Sequence, residues 1–357
     1  MNDDCLKLTT YFGERDRTAG GLLADELMNL YGEHRMAASI ILRGAEGFGR
    51  LHHLHTDRLL TPSEDLPVVS IAVDERTRIE SMLGPLLQIK RRGLVTLERA
   101  RLLSGSIGRV QLPAEPGTAV QLTIYLGRQD RVNGGPAFVA LCELMHRRGL
   151  SGASVLLGVD GTRGGQRYRA KFFARNANVP MMLIAVGSGE SIATALPELG
   201  ELLREPLMTL ERVRVCKRDG ELISAPHEPA GTDEHGLAMW QKLTTYSSQA
   251  AMGVSGRPLH LEIVHRLQRE TEAAGATVLR GIWGFHGDHR PHGDRIFQIR
   301  RHVPVCTIVI DRPDRIARSF RVIDEITSTH GLVTSEMVPA AQAMSETQTR
   351  GGLRLAG

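Results

Sequence analysis

Aromatic residues are scarce in this 357-residue chain, at 4%, and cysteines number only four. Cys5, Cys142, Cys216 and Cys306 stand far apart with no Cys-x-x-Cys pair. That spacing argues against a disulfide framework or a thiolate zinc site, and reads as reduced thiols in a cytoplasmic protein. No apolar run approaches the roughly 20 residues needed to span a bilayer. The acidic start, Met1-Asn2-Asp3-Asp4, lacks the apolar stretch of a signal peptide. Basic residues form no stripe interleaved with aromatics, so nucleic acid is not an expected partner. The net charge of +4 leaves room for anionic ligands. Also missing are the Gly-x-x-x-x-Gly-Lys-Ser/Thr phosphate loop, the His-Glu-x-x-His metal helix and the Gly-x-Ser-x-Gly elbow. The expectation is a non-enzyme.

What the chain has instead is a repeat of itself. Lys7-Leu8-Thr9-Thr10-Tyr11 returns as Gln121-Leu122-Thr123-Ile124-Tyr125 and as Lys242-Leu243-Thr244-Thr245-Tyr246. Leu66-Pro67-Val68 returns as Val179-Pro180-Met181 and Val303-Pro304-Val305, each opening an apolar run. Leu94-Val95-Thr96-Leu97-Glu98-Arg99 returns as Leu207-Met208-Thr209-Leu210-Glu211-Arg212 and, more faintly, as Leu332-Val333-Thr334-Ser335-Glu336. The same landmarks in the same order three times mean three copies of one module. The copies are placed at 1–105, 119–217 and 237–340. Between them, 104–118 and 217–236 each hold three glycines and two prolines and read as exposed linkers. The tail, 341–357, has little apolar content and is expected to be disordered.

Periodicity supplies the elements of a copy. Leu6, Leu8, Thr10 and Phe12 alternate with Lys7, Thr9 and Tyr11, the period of a strand. Leu23, Leu27 and Leu30, flanked by Ala24, Met28 and Tyr31, recur at helical spacing. In the later copies this helix is expected to start at Pro136 and Pro258 and to stop near Gly149 and Gly275. A strand over 38–42, a glycine-rich exit and the apolar strand 68–73 follow. Asp74 is the expected N-cap of a second helix with a buried stripe of Ile79, Met82, Leu83 and Leu86. A strand over 94–102 closes the unit. The order is βαββαβ, an α+β, ferredoxin-like split βαβ. Two helices leave one sheet face uncovered, the one bearing Thr9 and Tyr11, Thr123 and Tyr125, Thr244 and Tyr246. The three such faces are expected to bury one another.

Glu46-Gly47-Phe48-Gly49-Arg50, then His55-Thr56-Asp57, then Asp65-Leu66-Pro67 resemble the central portion of PII signalling proteins. Tyr11-Phe12-Gly13-Glu14, Leu42-Arg43-Gly44, His52-His53 and Leu66-Pro67 resemble more closely the PII-like family called domain of unknown function 190. The resemblance spans all of copy one, most of copy three and, more loosely, copy two. It implies modules that associate in threes with ligands in the clefts between them, and hence a single-chain pseudo-trimer. In PII proteins the corner after the second strand meets nucleotide phosphates through backbone and an arginine. The implied positions are Gly47, Gly49 and Arg50; Gly161, Arg163 and Gly164; and Gly284 and Gly287. Glycine lets backbone N–H groups approach an anion and arginine adds a bidentate donor; the alternative is that these glycines only make a sharp strand exit. The chain departs from PII in two places. Leu87-Gln88-Ile89-Lys90-Arg91-Arg92-Gly93 lacks the glycine-rich loop before the last strand, and Leu51 stands where PII carries a metal-coordinating glutamine. Both tell against magnesium–ATP bound in the PII manner.

Histidines form a second candidate set: His52, His53 and His55 in copy one, and His286, Asp288, His289 and His292 in copy three. Imidazoles with a carboxylate in a short loop suit a divalent transition metal, although loop histidines at irregular spacing are more often exposed or ordinarily bonded. Copy two has Gly165-Gln166-Arg167-Tyr168-Arg169-Ala170-Lys171 there instead. Glu98, Glu211 and Glu336 recur and read as salt-bridge partners. Three functional readings stay open. The leading one is a cytoplasmic PII-like regulatory protein that binds a small anion, foremost an adenine nucleotide, and relays occupancy through its T-loops to a partner. A membrane transporter or channel is the partner the resemblance suggests. The others are a metal-binding protein and an interaction scaffold without a ligand.

Overall fold

The computed structural model describes residues 2–49, 54–56, 65–112, 117–169, 179–229, 231–233, 235–287, 289–293, 303–345 and 347–355. Labels here cover the strands that build the sheets. Module 1 comprises β1 (Asn2–Gly13), α1 (Leu23–Glu33), β2 (Ala38–Arg43), β3 (Glu46–Phe48), β4 (Pro67–Glu75), α2 (Arg76–Ile89) and β5 (Gly93–Ser104). Module 2 comprises β6 (Thr118–Gly127), α3 (Ala137–Arg147), β7 (Gly152–Leu157), β8 (Asp160–Arg163), β9 (Pro180–Gly187), α4 (Gly189–Leu202) and β10 (Leu207–Arg218). Module 3 comprises β11 (Trp240–Ser248), α5 (Leu259–Glu270), β12 (Ala276–Arg280), β13 (Trp283–His286), β14 (Pro304–Asp311), α6 (Pro313–Ile326) and β15 (Leu332–Val338); β16 (Ala340–Met344) and β17 (Thr349–Gly352) follow it.

The three copies are therefore α+β units of antiparallel strands with two helices each. In module 1 the order across the sheet is β2-β4-β1-β5. Modules 2 and 3 repeat it as β7-β9-β6-β10 and β12-β14-β11-β15. The period-two pattern of β1 sorts its side chains as expected. Leu6, Leu8 and Phe12 join Leu27, Ile79, Met82 and Leu86 beneath the helices, while Cys5 and Tyr11 turn to the other face. Modules 2 and 3 have the same helix-covered core around Leu122, Leu141 and Leu196, and around Leu243, Ile263 and Ile323.

The uncovered faces meet. One central core holds Ile40 and Ile71 of module 1, Tyr125 and Met182 of module 2, and Tyr246, Leu279 and Cys306 of module 3. Backbone pairing between modules runs in two closed cycles. In the first, β3 pairs with β12, β13 with β7, and β8 with β2. In the second, the end of β5 pairs with the start of β10, the end of β10 with the start of β15, and β16 with the start of β5. Each sheet thereby extends into its neighbours, which leaves fewer strand edges open.

Three local expectations need correction. The tail, expected to be disordered, supplies β16, which lies between β5 and β17 with Ala341 and Ala343 buried. Hydrogen bonding along the free edge of β5 orders this segment, and a composition of small residues does not register that. Asp74 is not the cap of α2: the helix begins at Arg76, and Glu75 occupies the cap position. The Asp74 carboxylate instead accepts the Ala37 N–H at 2.9 Å and the Glu75 N–H at 2.7 Å, tying a loop to the strand end. Pro136 and Pro258 sit one residue before their helices, at the cap position. Among the described residues no helix is long and apolar enough to cross a membrane.

Candidate functional site

Each module leaves its second strand by the same step: Gly44-Ala45-Glu46-Gly47, Gly158-Val159-Asp160-Gly161 and Gly281-Ile282-Trp283-Gly284. The second glycine of each was expected at the corner. Of the first, only Gly44 was read as part of the glycine-rich exit; the threefold Gly-x-x-Gly spacing is the signal for Gly158 and Gly281. A Cβ on Gly47 would lie 2.5 Å from the Ala276 carbonyl oxygen, and on Gly161 and Gly284 closer still to the Ser39 and Ala153 oxygens. On Gly44 and Gly281 it would strike the rings of Pro67 and Pro304, at 2.6 and 2.7 Å. These glycines let one module's backbone seat on its neighbour's strand. The corner donors have partners there: Gly44 N–H to Pro67 O and Ala45 N–H to Val278 O, with the same pairs at Gly158 and Val159 and at Gly281 and Ile282.

Beyond the corner the expected residues part company. Gly49 faces open space, while Gly164 and Gly287, at φ +55° and +54°, make turns. Arg163 donates to the Asp130 carboxylate at 2.8 Å and to the Glu205 carbonyl at 2.7 Å. Arg50, His52, His53 and Asp288 lie outside the described residues. His55 is half-buried in a short strand paired with β3. His286 and His289 stack edge-on with ring centres 5.1 Å apart, and His292 Nδ1 lies 2.8 Å from the Arg290 carbonyl. Burial, then His289, holds the His286 imidazole below its ordinary pKa, with Asp219 opposing. No three described loop ligands converge tightly enough to share an ion; among the described residues that convergence occurs at Glu98, Glu211 and Glu336. Where β13 crosses onto module 2, a cavity of about 20 Å³ lined by Ser154, Tyr246, Phe285 and His286 has room for about one water.

The three recurring glutamates come together with the lysines of the first landmark at the buried centre. Lys7 pairs with Glu98 at 3.0 Å and with Glu211; Lys242 pairs with Glu336 at 2.6 Å and with Glu98. Gln121 fills the place of a third lysine, accepting the Tyr246 hydroxyl at 2.8 Å. Thr96 adds a hydroxyl to Glu98 at 3.1 Å. Three carboxylates thus meet two ammonium groups, all 2–8% exposed, which leaves one negative charge in excess. For Glu98 burial opposes ionisation, but Lys242 and Lys7 together outweigh it and hold the carboxyl at about 2. Burial pushes Glu336 up to about 7, with Lys242 opposing and Glu98 reinforcing. Of the three carboxyls, Glu336 is the one pushed toward its protonated form.

A pH dependence follows. The folded pKa of Glu336 lies above its unfolded value near 4.5. Its contribution is therefore fully present below about pH 4.5 and is lost as pH rises through about 7, up to about 3 kcal/mol in all. Gln121→Lys, which adds the third ammonium, is expected to flatten that slope. Urea midpoints at pH 5 and pH 8 for both chains measure it; an unchanged slope in the variant would mean that Glu336 does not carry the proton.

Lys90 stands beside Arg91 and Arg92 in the sequence, a run that reads as solvated surface. It is instead fully buried, while its two neighbours are exposed. Its ammonium donates to the Tyr11 carbonyl at 2.9 Å and the Arg92 carbonyl at 2.6 Å, 5.3 Å from the Phe12 ring centre. Burial, opposed by Asp16, pushes it down to about 7. It fastens the last strand to the first rather than greeting a ligand.

The model of the family described as Uncharacterized ACR, domain of unknown function 190, matches residues 5–102, 119–215 and 240–340. The chain belongs to this family. It is 33% identical over 85 residues to a UPF0166 protein of Methanocaldococcus jannaschii, covering 23% of this chain and 77% of that one. It is also 33% identical over 84 residues to a UPF0166 protein of Aquifex aeolicus, covering 23% and 76%. Among solved structures, the flavoenzyme CrmK aligns over 87% of this chain and 68% of its own at 14% identity, with a TM-score of 0.19. A likeness that slight carries no argument. The two UPF0166 relatives are each about one module long, so this member of the family holds in one chain what they hold singly.

Proposed function

We propose that this protein is a PII-like regulator: three ferredoxin-like modules joined as a single-chain pseudo-trimer, without catalytic activity. It binds a small anion, foremost an adenine nucleotide, at a module boundary and signals occupancy through its T-loops to a partner protein in the cytoplasm or at a membrane transporter or channel. The observation that carries the reading is the first cycle of strand pairing. Each T-loop follows a short strand seated on the next module, so a ligand that shifts one module against its neighbour shifts the base of a loop. The strand order within each module and the shared central core support the same reading. The adjacency of His286 and His289 favours, as a second reading, a divalent metal on the module 3 loop.

A thermal-shift series against ATP, ADP, AMP, zinc and nickel tests both. A ligand at about a thousand times its Kd stabilises the native state by about 4 kcal/mol. The expected result is a rise with one nucleotide class that Arg50→Ala abolishes. A rise with metal alone, lost in His289→Ala, would favour the second reading, and silence throughout would sink the ligand-sensing proposal.

A further inference from the structure

A second cavity lies at the other end of module 3. β14 runs from the corner, at Pro304, to this cavity, at Asp311, and the volume is about 580 Å³. That is the size of a small-molecule site. Its walls come from four places that the sequence keeps apart: the linker before β11 with Trp240 (Gly231, Thr232, Ala238), the turn after α5 (Glu272, Ala274), the end of β14 with the start of α6, and the β16–β17 hairpin.

The charges on these walls are unequally satisfied. Asp311 accepts the Ala274 and Arg312 N–H groups, each at 2.8 Å. Glu272 pairs with Arg315 at 3.7 Å and Arg318 at 3.4 Å. Both carboxylates are thus already engaged, and Asp311 ties a loop to its strand end as Asp74 does in module 1. Arg312 and Arg350 also line the cavity, and neither has a carboxylate partner among the described residues; Arg350 donates only to Gln348 Oε1, at 3.5 Å. Trp240, 5% exposed, forms part of the same wall, and its Nε1–H has no acceptor among the described residues. A buried N–H without an acceptor is costly and uncommon. Two guanidinium forks on separate elements without a carboxylate partner, beside an unanswered indole donor, call for an occupant rich in negatively charged oxygen.

We propose that this cavity binds a small phosphorylated anion, one per chain, with the phosphate between Arg312 and Arg350. Among the described residues, modules 1 and 2 lack two of its parts. Glu75 and Ser188 stand where module 3 has Arg312, and β16–β17 follows only module 3. The site is separate from the corners and does not depend on any ligand there.

Calorimetric titration of the full chain with inorganic pyrophosphate and with AMP tests it. The expected result is saturable one-to-one binding of at least one of them, weakened about tenfold by Arg312→Gln and again by Arg350→Gln. Ala238→Phe, which fills the cavity without changing charge, should abolish it. Because Arg312 and Arg350 are exposed, their variants should melt with the parent, so a loss of binding is not a loss of fold. Binding of pyrophosphate and AMP alike makes the phosphate itself the ligand; binding of AMP alone makes it an organic phosphate. No saturable heat with either probe would overturn the proposal. So would binding that survives the double variant, and if Arg50→Ala then removed it, the anion would belong to the corner.

Discussion

Lys242→Met should lower the stability of this protein by about 3–5 kcal/mol at neutral pH, the range for breaking a buried charge pair from one side. Lys242 neutralises two carboxylates on different modules, Glu98 and Glu336. Removing it leaves Glu98 with Lys7 alone and Glu336 with no ammonium partner, in a centre closed to water. The loss should shrink at low pH, where protonation of the carboxylates cancels the charge that methionine leaves exposed. It should also be partly recovered by adding Glu98→Gln, which leaves Lys7 paired with Glu211 alone, since a charge is costly only while it is unpaired. Urea denaturation of the parent, the single and the double variant at two pH values measures all of this. A single-variant loss under 1 kcal/mol would mean that water reaches the centre and screens it.

A loss of similar size, about 3–5 kcal/mol, is expected from Gly284→Val. Its Cβ would press on the Ala153 carbonyl, which belongs to another module and cannot swing away as a side-chain end does. β13 must then lift from β7, which gives up the pairing of Ala153 with Phe285 and of Ser154 with Gly284 and exposes the buried Phe285 ring. A few backbone hydrogen bonds near 1 kcal/mol each and an aromatic side chain worth about 1.5–3 kcal/mol account for the figure. Gly49→Val, whose Cβ meets nothing, should stay within about 0.5 kcal/mol of the parent. Melting curves and limited proteolysis between modules 2 and 3 distinguish the two. Equal tolerance at both positions would refute the seating role of the corner glycines.

Much of this architecture is local and was legible in the chain. A period of two in Leu6, Leu8 and Phe12 and helical spacing in Leu23, Leu27 and Leu30 name elements because each side chain's direction follows from its place along its own backbone. Threefold recurrence of the same patterns fixed the number of modules. The residue types of the buried centre were visible too, as Lys7 and Lys242 in one landmark and Glu98, Glu211 and Glu336 in another. That Lys7 reaches Glu211, 204 positions away, was not. Neither the burial of Lys90 nor the ordering of 341–344 follows from composition, because both depend on which carbonyl or strand edge a distant segment leaves open. The cavity of Trp240, Arg312 and Arg350 is the extreme case: a linker, a helix start and a tail hairpin have no pattern in common. Sequence by itself determined the elements, the three copies and the charge types at the centre, since those follow from nearest-neighbour geometry. Only the tertiary structure decided which edges pair, which charges are left without partners and where a ligand-sized space remains, since closing the cycle of modules sets all three at once.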